Sequence, residues 1–145
     1  MNEKICLFCG HRIVTTEKLE EKIYVNLYNL IENYGYNAFY SGGMGEFDIM
    51  CEQAIRKLKI VYPDIRLYRI VYRYKTDMES IKKLVDEIII PDLGDAYYKK
   101  IIDLRNRWMV DMSQCVLCYI NKNYGGAYKT MKYAETLGKD IILIS

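Results

Sequence analysis

A glycine-rich turn, Ser41-Gly42-Gly43-Met44-Gly45, separates a short apolar segment from a strongly periodic helical segment. Glycines at the start of a helix leave backbone N–H groups unpaired, with no side chains to obstruct a ligand. The helix dipole adds partial positive charge at the same place, so a turn of this kind can bind phosphate or another anion. A second glycine pair, Gly125-Gly126, has the same strand–turn–helix context near the C-terminus. Two such turns predict a nucleotide-like ligand.

The first turn does not match the standard nucleotide-binding motifs. The dinucleotide fingerprint needs a third glycine where this sequence has Asp48, and it follows the first strand of its fold rather than the second. A Walker loop would continue into Gly-Lys-Ser/Thr, which does not occur here. A tight strand-to-helix turn also needs glycine for backbone geometry alone. Two turns at one predicted sheet edge favour binding over this purely structural interpretation.

Three polar side chains are further candidates for the site. His11, the only histidine, follows the first predicted strand beside Gly10 and Arg12. A histidine there could act as a general base or a pH switch, or fix the loop by a hydrogen bond. Arg12 could pair with a phosphate or remain a surface charge. Arg105 and Met109 are four residues apart and share one helix face, which could meet the ligand.

The five cysteines include two Cys-x-x-Cys pairs, Cys6 with Cys9 and Cys115 with Cys118. Such pairs occur in zinc sites. Both pairs lie in apolar strand-like runs, however, and strand residues three apart point to opposite faces of a sheet. We therefore expect buried core cysteines, no metal site and no cofactor.

The apolar periodicity predicts strands and helices in alternation. Strands are predicted at 5–8, 37–40, 65–72, 85–90, 115–120 and 141–144. Helices are predicted at 19–34, capped by Thr15 or Thr16, and at 47–58, 97–112 and 127–137, with a loop and a short helix at 75–83. This order predicts a three-layer α/β/α domain with a mostly parallel sheet of about six strands. Ligands of such sheets bind beyond the carboxyl ends of the strands, where loops 10–15, 41–45 and 121–126 are expected.

Length and composition narrow the class of protein. The 145 residues suit one domain. The 21 basic and 19 acidic residues are spread along the chain, with no basic stripe for nucleic acid. No apolar run approaches the roughly 20 residues that span a bilayer, and the N-terminus has no signal-peptide pattern. We therefore expect a cytoplasmic protein with reduced cysteines and neither a membrane nor a nucleic-acid partner.

Four segments occur in an order that resembles a known superfamily. They are Cys6-Leu7-Phe8-Cys9-Gly10-His11-Arg12, Tyr40-Ser41-Gly42-Gly43-Met44-Gly45-Glu46-Phe47-Asp48, Arg105-Asn106-Arg107-Trp108-Met109-Val110-Asp111 and Gly125-Gly126-Ala127-Tyr128-Lys129-Thr130. Together they resemble the SLOG superfamily, most closely its YpsA-like branch and more distantly the LOG phosphoribohydrolases and DprA. The resemblance implies one Rossmann-like nucleotide-binding domain over residues 1–145.

The resemblance also implies a ligand and the residues that contact it. The ligand is a nucleotide or a nucleotide-derived signal, NAD-related and cyclic ones included, held by a sensing or sequestering module. By analogy the protein is a homo-oligomer. The implied ligand-binding residues are Gly10, His11, Arg12, Ser41, Gly42, Gly43, Met44, Gly45, Asp48, Arg105, Asn106, Met109, Gly125, Gly126 and Thr130.

A LOG-like nucleoside 5′-monophosphate phosphoribohydrolase is the alternative. The LOG enzymes carry Gly-Gly-x-Gly-Thr-x-x-Glu with a catalytic glutamate, whereas Tyr133 stands three residues after Thr130 here and the nearest acid is Glu135. Without that carboxylate, N-glycosidic cleavage lacks its obvious acid, so a binding protein is the preferred interpretation. Single-stranded DNA binding, as in DprA, is disfavoured by the near-neutral charge.

Overall fold

Strands and helices alternate along the whole chain. The computed structural model describes residues 2–74 and 76–145. The strands are β1 (Ile5–Gly10), β2 (Ala38–Ser41), β3 (Arg66–Ile70), β4 (Glu87–Ile89), β5 (Cys115–Tyr119) and β6 (Asp140–Leu143). The helices are α1 (Leu19–Tyr34), α2 (Glu46–Val61), α3 (Met78–Lys82), α4 (Tyr98–Met112) and α5 (Gly126–Thr136). The predicted short helix at 75–83 corresponds to α3, and residue 75 itself lies outside the described residues.

The six strands form one parallel sheet in the order β4-β3-β2-β1-β5-β6. The chain starts in the middle of the sheet, builds outward to β4, and then returns past β1 to add β5 and β6. Strand order therefore reverses between β1 and β5, and open α/β sheets bind ligands at such a reversal. The topology brings the loop after β1 next to the loop after β5.

Helices cover both faces of the sheet. One buried cluster joins α1 and α2 to strand residues such as Cys6 and Phe8, and the other joins α4 and α5 to Leu7 and Cys9. Successive residues of β1 thus point to opposite clusters, as the pleat of a strand requires. The three-layer α/β/α fold predicted from the sequence is confirmed. In the part of the chain that is described, no helix combines the length and the apolar character needed to cross a membrane.

The start of α1 differs from the prediction. Lys18 precedes the helix with a φ of 59°, and no side chain within residues 2–74 and 76–145 caps the helix. The hydroxyls of Thr15 and Thr16 instead lie 3.3 and 2.9 Å from the hydroxyl of Tyr119. The capping prediction is wrong because the hydroxyls of both threonines contact the hydroxyl of Tyr119 and not the N–H groups of α1.

The inner face of α4 also differs from the prediction. The helix predicted at 97–112 begins and ends with the apolar residues Tyr97 and Met112, yet these two side chains are 75% and 43% exposed. The residues that α4 buries are Arg105, Met109 and Val110. This buried face begins with a charged residue, which the apolar pattern could not reveal.

All five cysteines are free thiols and buried. Cys6 is the register neighbour of Cys115, and Cys9 of Cys118, on adjacent strands β1 and β5. The first pair belongs to the α1–α2 side of the sheet and the second to the α4–α5 side. Among residues 2–74 and 76–145, no group of three or more His, Cys, Asp or Glu side chains is arranged to hold a metal ion.

Candidate functional site

A cavity of about 450 Å³ opens at the carboxyl end of β1. Its walls are the loop after β1, the first glycine turn, the buried face of α4, and the second glycine turn with the start of α5. The predicted site residues in its lining are Gly10, His11, Arg12, Gly42, Met44, Asp48, Arg105, Asn106, Met109, Gly125, Gly126 and Thr130. Folding therefore brings both glycine turns to one cavity, as the topology of the sheet requires.

Three predicted site residues lie behind the cavity wall. Ser41 is fully buried, and its Oγ accepts a hydrogen bond from the N–H of Gly43 at 3.1 Å. A Cβ added to Gly43 would lie 2.5 Å from the guanidinium of Arg69, and one added to Gly45 would lie 2.6 Å from the Cα of Arg12. These positions shape the first turn and pack it against its neighbours.

The first turn uses its own N–H groups. The N–H of Met44 donates to Oδ2 of Asp48 at 3.1 Å, and that of Glu46 donates to the carbonyl of Arg12 at 2.9 Å. With the N–H of Gly43 bonded to a serine, two donors of this turn and the first donor of α2 are occupied inside the protein. The sequence predicts free donors here, whereas folding satisfies these three.

The second turn leaves its donors open. Gly125 precedes α5 with a φ of 95°, and no side chain among the described residues caps the helix. The first backbone hydrogen bond of α5 runs from the N–H of Lys129 to the carbonyl of Gly125 at 3.0 Å. The N–H groups of 126–128 consequently have no acceptor within the described part of the protein. Free donors at a helix N-terminus favour an anion, and the second turn keeps three such donors open beside the cavity.

Arg105 places a buried positive charge in the cavity wall. The residue is 3% exposed, and its Nη1 donates to the carbonyls of Gly42 and Ile70, each at 3.4 Å. Its Nη2 donates to Oδ1 of Asn106 at 3.0 Å. Within the described ranges, no ion pair involves this arginine. Burial lowers the pKa of Arg105, but an arginine remains protonated, so the cavity holds a cation without a carboxylate in contact.

Asp48 is the buried carboxyl of the cavity. Burial raises its pKa to about 6, against the opposing effects of the Met44 N–H and the charge of Arg105. It is therefore ionised for the most part at pH 7 and protonates under mildly acidic conditions. With Arg12, Arg105 and Lys122 also in the lining, the side chains of the site carry an excess of two positive charges.

A buried ion pair supports the first turn from behind. Nε and Nη2 of Arg69 donate to the two carboxylate oxygens of Glu52, each at 2.7 Å. Both residues are more than nine-tenths buried, and the guanidinium lies against Gly43. Neither residue of this pair belongs to the predicted site. The sequence signal for this pair is a basic residue among buried apolar neighbours in β3 and an acidic residue on the buried face of α2.

Tyr119, at the end of β5, holds the loop that carries His11. Its carbonyl accepts the N–H of His11 at 3.2 Å, and its hydroxyl accepts the N–H of Thr15 at 3.2 Å. The ring is 1% exposed and stacks on Phe47 with ring centroids 5.8 Å apart. Sequence reasoning missed this residue because a tyrosine that ends a buried strand looks like an ordinary core residue.

Lys122 and Tyr124 add a positive charge and an aromatic ring to the cavity lining. Both line the cavity, and the Lys122 ammonium lies 5.6 Å from the centre of the Tyr124 ring. The tyrosine is 65% exposed. Neither residue belongs to the predicted set, although both lie in the predicted loop after β5.

No family model matches the sequence, and no curated protein matches it. Solved structures do match. DNA processing protein A (DprA) from Streptococcus pneumoniae is 17% identical with a TM-score of 0.68, over 99% of this chain and 50% of that one. A molybdenum cofactor binding protein from Rippkaea orientalis is 22% identical with a TM-score of 0.65, over 99% and 77%. DprA from Helicobacter pylori, studied for its single-stranded DNA binding mode, is 16% identical with a TM-score of 0.67, over 98% and 65%.

These similarities concern the path of the backbone. The chain spans half the length of the S. pneumoniae DprA that it matches. At such identities the comparison establishes architecture, and residue roles must come from the cavity itself. The chain has the Rossmann-like fold of DprA and of the molybdenum cofactor binding protein, which is the fold that its resemblance to the SLOG superfamily implies.

Proposed function

We propose that this protein binds a nucleotide or a nucleotide-derived small molecule, as a sensing or sequestering module. One observation carries the proposal. A single cavity joins the uncapped start of α5 to the buried guanidinium of Arg105, which has no ion-pair partner among the described residues. Both features favour an anion, and both lie at the reversal of strand order.

The size and charge of the cavity suit a phosphorylated small molecule. Its volume of about 450 Å³ falls within the roughly 300–1,000 Å³ of small-molecule sites. A phosphate monoester carries about −1.5 to −2 charges at pH 7, which matches the excess positive charge of the lining. The ligand's phosphate occupies the second turn, and the rest of the molecule extends toward Asp48 and the loop after β1.

The similar proteins support a ligand-binding role of a general kind. One is a molybdenum cofactor binding protein and another binds single-stranded DNA, so this fold accommodates ligands of different sizes. The cavity volume of about 450 Å³ and the near-balanced charge of 21 basic and 19 acidic residues favour a small ligand over a DNA strand here.

Titration calorimetry with AMP, adenosine and inorganic phosphate tests the proposal, alongside native mass spectrometry of the purified protein for a retained small molecule. We expect AMP to bind at least tenfold more tightly than adenosine, because the phosphate meets open N–H groups and a buried cation. Equal affinities for AMP and adenosine would contradict an anion site, and no binding of any probe would contradict the proposed function.

One observation favours a second function, hydrolysis of a nucleoside 5′-monophosphate. Asp48 lines the cavity with a pKa raised to about 6, which suits a general acid. Glu46 and Glu135 do not line this cavity, since Glu46 accepts the N–H of Val14 at 2.9 Å and Glu135 pairs with Lys132 at 3.7 Å. Incubation with purine monophosphates and NAD, followed by chromatography, decides between the functions. Release of free base or nicotinamide that is lost in Asp48→Asn would establish turnover.

A further inference from the structure

The His11 side chain contains a buried nitrogen that forms no hydrogen bond within the described residues, which is unusual in a folded protein. Over residues 2–74 and 76–145, its Nε2 is the only buried side-chain nitrogen or oxygen without a hydrogen-bond partner. Leaving a buried polar atom unpaired destabilises the folded state, and native proteins contain few such atoms. Such an atom needs an explanation from function or from a missing partner.

The surroundings of His11 connect that atom to the cavity. The residue is 9% exposed, lines the cavity, and packs edge-on against Tyr119 with ring centroids 6.5 Å apart. Its backbone is fixed by the hydrogen bond from its N–H to the carbonyl of the same tyrosine. A half-turn of the ring about its Cβ–Cγ bond exchanges nitrogen and carbon positions, so we expect a ring nitrogen to turn toward a ligand in the cavity.

The imidazole is neutral at pH 7. Burial, and then the nearby charge of Lys122, lower the pKa of His11 from its ordinary value. A neutral imidazole has one donor and one acceptor nitrogen and adds no charge to the site. It therefore complements a hydroxyl or a heterocyclic polar group, whereas the anion is held by Arg105 and the start of α5.

We propose that His11 is a specificity residue that hydrogen-bonds an uncharged polar group of a phosphate ester, so that the site selects nucleoside 5′-phosphates over inorganic phosphate. This inference rests on the proposed function and deepens it by assigning a residue to the part of the ligand beyond the phosphate. The group that His11 contacts is an uncharged polar group on the organic part of the phosphate ester. Either a ribose hydroxyl or a polar atom of the base can supply it.

The test compares wild type with His11→Phe. Phenylalanine keeps a ring that can pack on Tyr119 and removes both ring nitrogens. Because the lost nitrogen is unpaired in the free protein, we expect the thermal midpoint of the variant to be unchanged or higher. We expect its affinity for AMP to fall tenfold or more, and its affinity for inorganic phosphate to stay within twofold of wild type.

The outcomes separate this inference from the proposed function. Loss of affinity for both ribose 5-phosphate and AMP identifies a sugar hydroxyl as the partner, and loss for AMP alone identifies the base. Unchanged AMP affinity in His11→Phe, or a lower thermal midpoint, would overturn the role of His11 while AMP binding by the wild type still supports the proposed function. Failure of the wild type to bind AMP or phosphate would overturn both.

Discussion

The guanidinium of Arg105 lies against the backbone of Gly42. Nη1 donates to the Gly42 carbonyl at 3.4 Å, and a Cβ added to this glycine would lie 3.2 Å from Nη2. The absence of a side chain at position 42 therefore lets a cation from α4 reach the first turn. The positive charge beside this turn is therefore the guanidinium of Arg105, while the N–H groups of Gly43 and Met44 donate to side chains of the protein.

Replacing Arg105 by Met removes the buried charge from the cavity. We expect affinities for both AMP and inorganic phosphate to fall at least tenfold, because hydrogen bonds to charged groups contribute about 1.5–3 kcal/mol. Calorimetry measures the effect. The control is Arg107→Met on the same helix, where the arginine is exposed and pairs with Asp103 at 3.4 Å. Equal losses in the two variants would show that the effect is a general change in charge.

A side chain at Gly126 tests the second turn. Gly126 lines the cavity, and a Cβ there would meet no atom within 4 Å, so we expect Gly126→Leu to fold and to lose AMP binding by obstructing the donors. Gly43→Val is a less direct test, since its Cβ would collide with Arg69 and the residue has a φ of 65°. Asn123→Leu, an exposed position of the same loop outside the lining, is the control for added apolar bulk. Normal AMP binding by Gly126→Leu would show that the phosphate does not bind at this turn.

Neutralising Asp48 changes the pH dependence of stability. Its native pKa of about 6 lies above the ordinary 3.8, so its contribution to stability is full below pH 4 and is lost as the pH rises through 6. At pH 7 the ionised carboxylate costs about 3 kcal/mol relative to a group with an unshifted pKa. In urea unfolding, the free energy of unfolding of Asp48→Asn, relative to that of wild type, should therefore increase as the pH is raised from 4 to 7. A difference that does not vary with pH would show that the pKa is unshifted.

The ion pair of Glu52 with Arg69 is expected to be essential to the first turn. Glu52→Gln leaves a buried guanidinium without its carboxylate, and breaking such a pair costs about 3–5 kcal/mol. The matched control is Glu79→Gln, which removes an exposed pair with Lys82 at 3.3 Å and should cost at most about 1 kcal/mol. Chemical denaturation compares the two. Similar losses would mean that Arg69 finds other partners.

Much of the fold follows from local patterns in the sequence. Apolar strands such as 115–120 and glycines that stop or start helices are short-range signals, and they set the order of elements without any knowledge of contacts. The rule that parallel sheets bind ligands at strand carboxyl ends then brings Gly42 and Gly125 to one edge. This reasoning predicts most of the cavity lining.

The remaining features depend on contacts between distant residues. Whether the Met44 N–H is free depends on Asp48 one helical turn away, and the neighbours of Arg69 depend on how α2 packs on β3. In α4, Arg105 is buried and Tyr97 is exposed because the helix packs beside a cavity and not against a continuous apolar core. Patterns of hydropathy contain no information on these choices.

The attachment of the β1–α1 loop to Tyr119 has a kinetic consequence. The loop is hydrogen-bonded to the side chain and the carbonyl of Tyr119 through His11, Thr15 and Thr16, so opening the loop while β5 stays in place would break these hydrogen bonds. Preorganisation of this kind lowers the entropy lost on association. Capture of a ligand should therefore proceed in one step, with an observed rate that rises linearly with ligand concentration and shows no plateau from a slow opening of the protein.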